Sequence, residues 1–261
     1  MNHILRITTF CLILTAFISC GDKEKANKLA APEPEVVKAP VIKKEIIFDN
    51  MDFVMGKFDP QLDSNFVWID TLYTDKKYIY LQRETYEQFL KMRAHAQMDG
   101  IDLKILSATR NFNYQKGIWE RKWRKLLAAG KTDQKEIAAE ILLYSAMPGT
   151  SRHHWGTDID LNYLGNSWFE SGKGQKIYEW LLQHAHSYGF CQPYSVKDDQ
   201  RPNGYEEEKW HWSYMPLAEK YYKGAAHFLK DDMISGFSGA ESAVDLKVVD
   251  NFVLGVHPAC K

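Results

Sequence analysis

The chain has 261 residues, 13% of them aromatic, and its 33 basic and 34 acidic residues give a formal net charge of −1. Such a balance excludes the basic footprint of a nucleic-acid-binding protein, so we expect no DNA or RNA partner. The length suffices for one compact domain with a sizeable core.

The first twenty residues have the pattern of an export signal. A basic start is followed by an apolar run from residue 7 to residue 18, which is too short to cross a bilayer as a mature helix. The run leads into Phe17-Ile18-Ser19-Cys20, which resembles a bacterial lipobox. We therefore expect a signal peptide over residues 1–20 and a lipid on Cys20 that anchors the protein to a bacterial membrane, with the domain outside the cytoplasm. An ordinary signal peptide cleaved nearby is the alternative.

The composition divides the rest of the chain into three parts. Residues 21–44 are rich in Lys, Glu, Ala and Pro and contain no aromatic residue, which predicts a flexible tether. Residues 45–235 are assigned to one domain and residues 236–261 to a C-terminal tail, and the chain beyond Asp231 is expected to be loosely ordered until Val253. Cys191 and Cys260 are the cysteines left in the exported part, where a disulfide between them can form.

Helical and strand patterns both occur in the domain. Apolar spacing and alternation predict strands at residues 78–81, 103–108, 158–163 and 209–214, and helices at residues 85–97, 114–144 with a break near Gly130, 173–188 and 216–229. The second strand ends just before Arg110. In the third strand the alternation places Asp158 and Asp160 on the same face.

Two short motifs contain the residue types of a hydrolytic metal site. One runs from Ser151 to Asp160 and includes His153, and the other is Glu208-Lys209-Trp210-His211. A catalytic zinc usually takes three protein nitrogen or oxygen ligands and keeps one position open for water. We predict that His153, Asp160 and His211 bind Zn²⁺, although the same ligands accept other divalent metals. Glu208 is the predicted general base and acid.

The residues alone leave two choices open. Asp158 faces the same side as Asp160, so that the alternation does not decide which aspartate binds the metal. His154 competes with His153, because neighbours in an extended segment point to opposite sides and only one of them can face the site.

The order and spacing of these motifs resemble the VanY-like D-alanyl-D-alanine carboxypeptidases, zinc peptidases related to lysostaphin-type enzymes and the hedgehog domain. The family pattern Ser-x-His-x-x-Gly-x-Ala-x-Asp is filled by Ser151, His153, Gly156 and Asp160, and the pattern Glu-x-Trp-His by Glu208, Trp210 and His211. Asp158 departs from the pattern, since the family usually has Ala there. The resemblance selects His153 and Asp160 as ligands and leaves Asp158 as a partner that could orient a ligand histidine.

A third motif supports the same resemblance. The segment Ser107 to Gln115 is similar to the family's Ser-x-x-Arg-x-x-x-x-Gln, which implies that Arg110 binds and polarises the substrate near the scissile carbonyl. A guanidinium suits this role because it is always charged and offers paired donors. The resemblance also implies that Gln115 binds the substrate and that Ser151 makes a supporting hydrogen bond near it.

The resemblance implies an α+β fold, with a small, mainly antiparallel sheet and helices packed on it. It implies a monomeric cell-envelope enzyme that removes the terminal D-alanine from peptidoglycan stem peptides. An L,D-carboxypeptidase or a peptidoglycan endopeptidase is the alternative within the same chemistry, and the insertion between Gln115 and Pro148 can form part of the discriminating wall. A non-catalytic, zinc-containing module that binds the cell wall is the alternative of another class, although the presence of Glu208 argues against it.

Overall fold

A computed structural model describes residues 50–261 of the chain. The predicted signal peptide, the lipobox with Cys20 and the tether over residues 21–44 therefore lie outside the described residues. None of the helices in the described part is both long and apolar enough to span a membrane.

The described part contains seven α-helices and six β-strands, numbered here in chain order. They are α1 (Met51–Val54), β1 (Phe66–Trp68), β2 (Tyr80–Gln82), α2 (Arg83–Met98), β3 (Ile105–Ser107), α3 (Phe112–Ala128), α4 (Gln134–Leu142), β4 (Asp158–Leu161), α5 (Gly172–His184), β5 (Phe190–Cys191), β6 (His211–Tyr214), α6 (Met215–Phe228) and α7 (Ser242–Leu246). Each predicted helix and strand is present, and the strands are shorter than the apolar runs that predicted them.

The break between α3 and α4 shows why these residues form two helices. The side chain of Asn111 accepts a hydrogen bond from the backbone of Tyr114 and caps the start of α3. Gly130, at a φ of 88°, follows the end of that helix in a conformation that costs glycine little. Asp133 then caps α4 by accepting from the backbone of Glu136, so the predicted break near Gly130 is confirmed.

The main sheet has four antiparallel strands in the order β3-β4-β6-β5, and β1 and β2 form a separate antiparallel pair. Together with the packed helices, this confirms the α+β class. The predicted alternation in β4 is also present. Ile159 and Leu161 are fully buried in an apolar cluster with Phe89 of α2, and the intervening aspartates face the other side of the sheet. That polar face carries the site.

The C-terminal residues are packed into the domain, so the expectation of a loosely ordered tail was wrong. Short apolar groups around α7 and the π-helical turn Val249–Val253 join a core cluster that includes Trp119 and Trp123 of α3. The backbone carbonyl of Ser238 also accepts a hydrogen bond from Trp119. Polar residues separate these short apolar groups, so the segment lacks the long apolar periodicity that predicts a helix.

A disulfide links Cys191 of β5 to Cys260, and the predicted pairing is thereby confirmed. It closes a loop with a sequence separation of 69 residues and ties the end of the chain to the edge of the main sheet. The neighbouring strand in that sheet is β6, which carries His211.

Candidate metal centre

Two neighbouring strands and one short helix bring the three predicted ligands together. Asp160 and His211 are register partners on β4 and β6, so their side chains leave the sheet on the same face. His153 comes from the 3₁₀-helix Arg152–Trp155, which ends at Gly156 in the left-handed conformation. One ligand atom from each of these three residues lies within 4.8 Å of the others, and all three residues are buried.

The spacing of the ligand atoms fits a small tetrahedral ion. Oδ1 of Asp160 lies 3.3 Å from Nε2 of His153 and 3.1 Å from Nδ1 of His211. Donors that share one tetrahedral zinc at bond lengths of about 2.0–2.1 Å lie about 3.3 Å apart. The cluster therefore suits a zinc-sized cation.

The partners of the two histidines fix which ring nitrogen faces the cluster. Nδ1 of His153 lies 2.8 Å from the carbonyl oxygen of Ala108, which can only accept, so this nitrogen carries the proton. Nε2 of His153 is buried and makes no hydrogen bond within residues 50–261. Nε2 of His211 lies 2.9 Å from Oδ1 of Asp158, which leaves its Nδ1 toward the cluster. An orphaned buried nitrogen beside a carboxylate is what a metal ion would satisfy.

Asp158 lies behind His211 and outside the ligand cluster. Besides His211, its fully buried carboxylate accepts hydrogen bonds from Arg152 at 3.1 Å, Thr157 at 2.6 Å and Ser213 at 3.1 Å. A carboxylate that holds the outer nitrogen of a ligand histidine fixes its tautomer and its orientation. This position is the one predicted for an aspartate that orients a ligand.

Arg152 is a supporting residue that the sequence reasoning missed. Its guanidinium is fully buried, pairs with Asp158 and lies over the ring of Trp155 at 4.7 Å. The pair joins residues on the two sides of a tight turn, and no periodicity in the sequence signals that contact. Arg152 thus balances the negative charge that stands where the resembled family usually has alanine.

The ionisation of the cluster follows from its contacts. Burial would lower the pKa of His211, but its hydrogen bonds to Asp158 and Asp160 outweigh burial and raise that pKa to about 9. Burial lowers the pKa of His153, and the charge of Arg110 lowers it further. Burial would raise the pKa of Asp160, yet the two histidines hold it well below its usual range. A cation would replace the proton of His211, since metal ligands bind in the deprotonated form.

Glu208 reaches the same centre without joining the ligands. The backbone N–H of His211 donates to the carbonyl oxygen of Glu208, and this turn places Oε2 of Glu208 3.6 Å from Nδ1 of His211. Burial raises the pKa of Glu208 to about 7, although the positive charge of His211 opposes the shift. A carboxyl group with a pKa near neutrality can both accept and return a proton at physiological pH.

Three further predicted residues meet in a small recess beside the cluster. Arg110, Gln115 and Ser151 line this recess of about 40 Å³ together with His153 and Glu208. Nε of Arg110 is buried and makes no hydrogen bond in the part of the chain that the structure describes. Gln115 donates to the carbonyl of Ala146 at 2.8 Å and leaves its own carbonyl oxygen buried without a hydrogen bond to the described residues. Their predicted roles in substrate binding remain predictions.

A wider cleft of about 560 Å³ opens in front of the recess. Asp160, Glu208, Arg110 and Trp210 lie along its inner part. Its outer wall contains residues that the sequence reasoning did not single out. Five of them come from the segment between Gln115 and Pro148, which was expected to contribute a wall: Ile118, Arg121, Lys122, Tyr144 and Ser145. The helical spacing of the first three, which lie on α3, could have indicated one shared face.

His154 does not join the ligand cluster. Its Nδ1 contacts the carbonyl oxygen of Arg110, and its Nε2 accepts from the backbone N–H of Gly149 at 3.1 Å. Burial lowers the pKa of His154 to about 3, so the ring is neutral. The segment is a 3₁₀-helix rather than an extended strand. What separates the two histidines is therefore the use of both His154 nitrogens by backbone groups, and not the alternation that was expected.

Comparisons with known proteins agree on one family. The family model VanY, described as D-alanyl-D-alanine carboxypeptidase, matches residues 78–217. A D-alanyl-D-alanine carboxypeptidase of Enterococcus faecalis is 30% identical over 129 residues, which are 49% of this chain and 46% of that protein. The putative carboxypeptidase YodJ of Bacillus subtilis is 26% identical over 138 residues, 52% of this chain and 46% of that protein. The chain thus spans about half the length of the curated relatives it matches.

Three solved structures are also similar to this chain. VanYB in complex with D-alanine-D-alanine has 24% identity and a TM-score of 0.48, over 64% of this chain and 87% of that chain. A mutant of the vancomycin resistance D,D-pentapeptidase VanY in complex with Zn(II) has 25% identity and a TM-score of 0.47, over 64% and 89%. The LD-carboxypeptidase LdcB has 21% identity and a TM-score of 0.49, over 72% and 79%.

Proposed function

Because this chain belongs to the VanY family of D-alanyl-D-alanine carboxypeptidases, we propose that it is a zinc-dependent enzyme that removes the terminal D-alanine from peptidoglycan stem peptides. One observation carries the proposal. The His153, Asp160 and His211 cluster lies beside the buried carboxyl of Glu208, where Asp160 and Glu208 line the cleft and His153, His211 and Glu208 line the adjoining recess. The similarity to a D-alanyl-D-alanine carboxypeptidase of Enterococcus faecalis supports the same substrate.

The residues present fit a divalent metal. Nε2 of His153, a carboxylate oxygen of Asp160 and Nδ1 of His211 would hold it, and Asp158 and the Ala108 carbonyl hold the outer nitrogens of the two rings. When bound, zinc acidifies a water molecule and polarises a carbonyl oxygen as a Lewis acid.

Glu208 is suited to move the proton in this reaction. With its pKa raised to about 7 by burial, it is ionised in a useful fraction of molecules and can accept a proton from an attacking water. As the C–N bond breaks, the same carboxyl can return that proton to the leaving amine, which departs as free alanine. Its position beside His211, without sharing in the ligand cluster, leaves its oxygens free for both transfers.

Arg110 is suited to bind the substrate next to the reacting carbonyl. Its guanidinium lines both the cleft and the recess, and its buried Nε has no hydrogen bond within residues 50–261. A fixed positive charge at this place stabilises negative charge that develops on the carbonyl oxygen or binds the terminal carboxylate. Either contact holds the terminal residue against the inner end of the cleft.

We also propose that the protein acts in the cell envelope, anchored through a lipid on Cys20. The support is the signal-like sequence of residues 1–20 and the Cys191–Cys260 disulfide, because disulfides persist mainly in oxidising compartments outside the cytoplasm. The stem peptides proposed as substrate are in the same compartment.

The function is tested by measuring free D-alanine released from an acylated D-Ala-D-Ala peptide by the zinc-loaded protein. Glu208→Gln keeps the size of the side chain, and we expect it to lower turnover by about 10²- to 10⁴-fold while zinc content and thermal stability are retained. Glu207→Gln is the matched control, since Glu207 is the neighbouring acid and its side chain points to Tyr178. Equal peptide binding without turnover in every variant would instead identify a binding module.

A further inference from the structure

The outer part of the cleft carries positive charge that the proposed chemistry does not use. Lys76, Arg121 and Lys122 line it in addition to Arg110, whereas its carboxylates are Asp160 and Glu208. Asp160 belongs to the ligand cluster and Glu208 lies beside His211. Across residues 50–261, no carboxylate lies within ion-pair distance of the three outer cations.

The fold holds Lys122 in place against this cleft. α3 buries Gln115, Trp119 and Trp123, and this packing fixes the rotation of the helix. Lys122 lies at the border of the buried face, three residues after Trp119, and lines the cleft. Glu120 of the same helix accepts two hydrogen bonds from Ser238, so the C-terminal segment braces it from behind.

The ammonium group of Lys122 is itself positioned. Its Nζ donates to Oγ of Ser145 at 2.6 Å, and the side chain is only partly exposed. Burial lowers the pKa of Lys122, while the nearby charge of Glu208 opposes this shift. A partly desolvated cation like this one, whose hydrogen-bond partner among residues 50–261 is a hydroxyl, gains more from a carboxylate partner than a fully hydrated surface lysine does.

We propose that Lys122, with Arg121 and Lys76 at the rim, binds a carboxylate in the acyl part of the substrate, so that the enzyme prefers peptides with an acidic group before the scissile bond. This inference rests on the proposed function. The released alanine has a single carboxylate, and Arg110 is the cation at the inner end where that residue would lie. The outer cations are left for a second acidic group on the other side of the bond.

A pair of peptides tests the inference with the full, zinc-loaded chain. N-acetyl-Glu-D-Ala-D-Ala and N-acetyl-Gln-D-Ala-D-Ala differ in one charge, and hydrogen bonds to charged groups predict a preference of about tenfold to a hundredfold in kcat/KM for the glutamate peptide. Lys122→Gln is expected to abolish the preference by raising KM for the glutamate peptide, and Lys122→Arg to keep part of it. Lys125→Gln removes an exposed charge from the same helix outside the cleft and should keep the full preference.

Two outcomes would overturn the inference. One is equal kcat/KM for the two peptides in the unaltered protein, and the other is a loss in Lys122→Gln that is the same for both peptides. If neither peptide is cleaved, the proposed function fails, and calorimetric binding to the zinc-loaded Glu208→Ala variant still decides the inference. In that variant, the inference is supported if the glutamate peptide binds more tightly than the glutamine peptide and if adding Lys122→Gln removes the difference. Equal binding of the two peptides contradicts the inference.

Discussion

Replacing Asp158 with asparagine removes one charge from behind the metal ligands and keeps the size of the side chain. The carboxylate accepts four hydrogen bonds, from Arg152, Thr157, Ser213 and His211. The two hydroxyl groups can rotate to suit an amide, whereas Arg152 and the His211 ring lose a charged acceptor. We therefore expect the main effects at these two partners.

The expected magnitudes follow from those two contacts. Supporting residues of this kind change metal affinity by about 10- to 100-fold, and because an amide oxygen can still accept from His211, we expect about a tenfold weaker zinc affinity for Asp158→Asn. The buried Arg152 guanidinium loses its only ion-pair partner among the described residues. The free energy of unfolding of the metal-free protein should then fall by about 2–4 kcal/mol.

Two measurements on the same samples check this prediction. Competition with a chromophoric chelator gives the zinc affinity, and urea unfolding of the metal-free protein gives the stability. Thr157→Val is the matched control, because it removes one hydrogen bond from Asp158 and leaves the charge in place. We expect it to cost about 1 kcal/mol and to leave zinc affinity nearly unchanged. A zinc affinity in Asp158→Asn within twofold of the unaltered protein would refute the idea that Asp158 supports His211.

Three further predictions concern the packing of the C-terminal segment against α3, the disulfide and the lipid proposed on Cys20. A Cβ on Gly239 would lie 2.1 Å from the ring of Trp123, whereas a Cβ on Gly236 would meet no atom within 4 Å. Because both glycines have positive φ, their backbone strain is comparable and the clash makes the difference. We expect Gly239→Ala to lower the free energy of unfolding in urea by about 1–3 kcal/mol more than Gly236→Ala does. Cys260→Ser opens a disulfide loop with a separation of 69 residues and should lower the free energy of unfolding by about 4 kcal/mol; an equal stability with and without reductant in the unaltered protein would contradict this. Cys20→Ser should move the protein from the membrane fraction to the soluble fraction on cell fractionation, and an unchanged distribution would argue against the lipid.

Local patterns in the sequence predicted the parts of the site that lie within one element. The alternation in residues 158–161 put Asp158 and Asp160 on one face, and the structure shows that face turned away from the apolar core. Asp133, just after the break near Gly130, has the capping chemistry that marks the start of α4, whereas Asn111, which caps α3, was not predicted as a cap. Such signals are local because the hydrogen bonds that produce them join residues close in the chain.

The features that the sequence did not predict depend on contacts between distant residues. Arg152 supports Asp158 across a turn that no pattern signals, and no spacing indicates that His211 offers Nδ1 rather than Nε2 to the cluster. The packing of the C-terminal valines depends on a surface that α3 and α4 create only after folding. Nothing in the sequence distinguishes Lys122 from the other lysines, because the cleft that it lines forms only in the folded protein.

The most direct test of the proposed carboxypeptidase activity is mass spectrometry of pentapeptide and tetrapeptide stem peptides after incubation with the zinc-loaded protein, with Glu208→Gln in parallel. We predict that the unaltered protein removes one alanine from the pentapeptide, that the tetrapeptide stays intact, and that the variant gives neither change. Loss of alanine from the tetrapeptide, cleavage at an internal bond, or an intact pentapeptide with zinc bound to the protein would contradict the account.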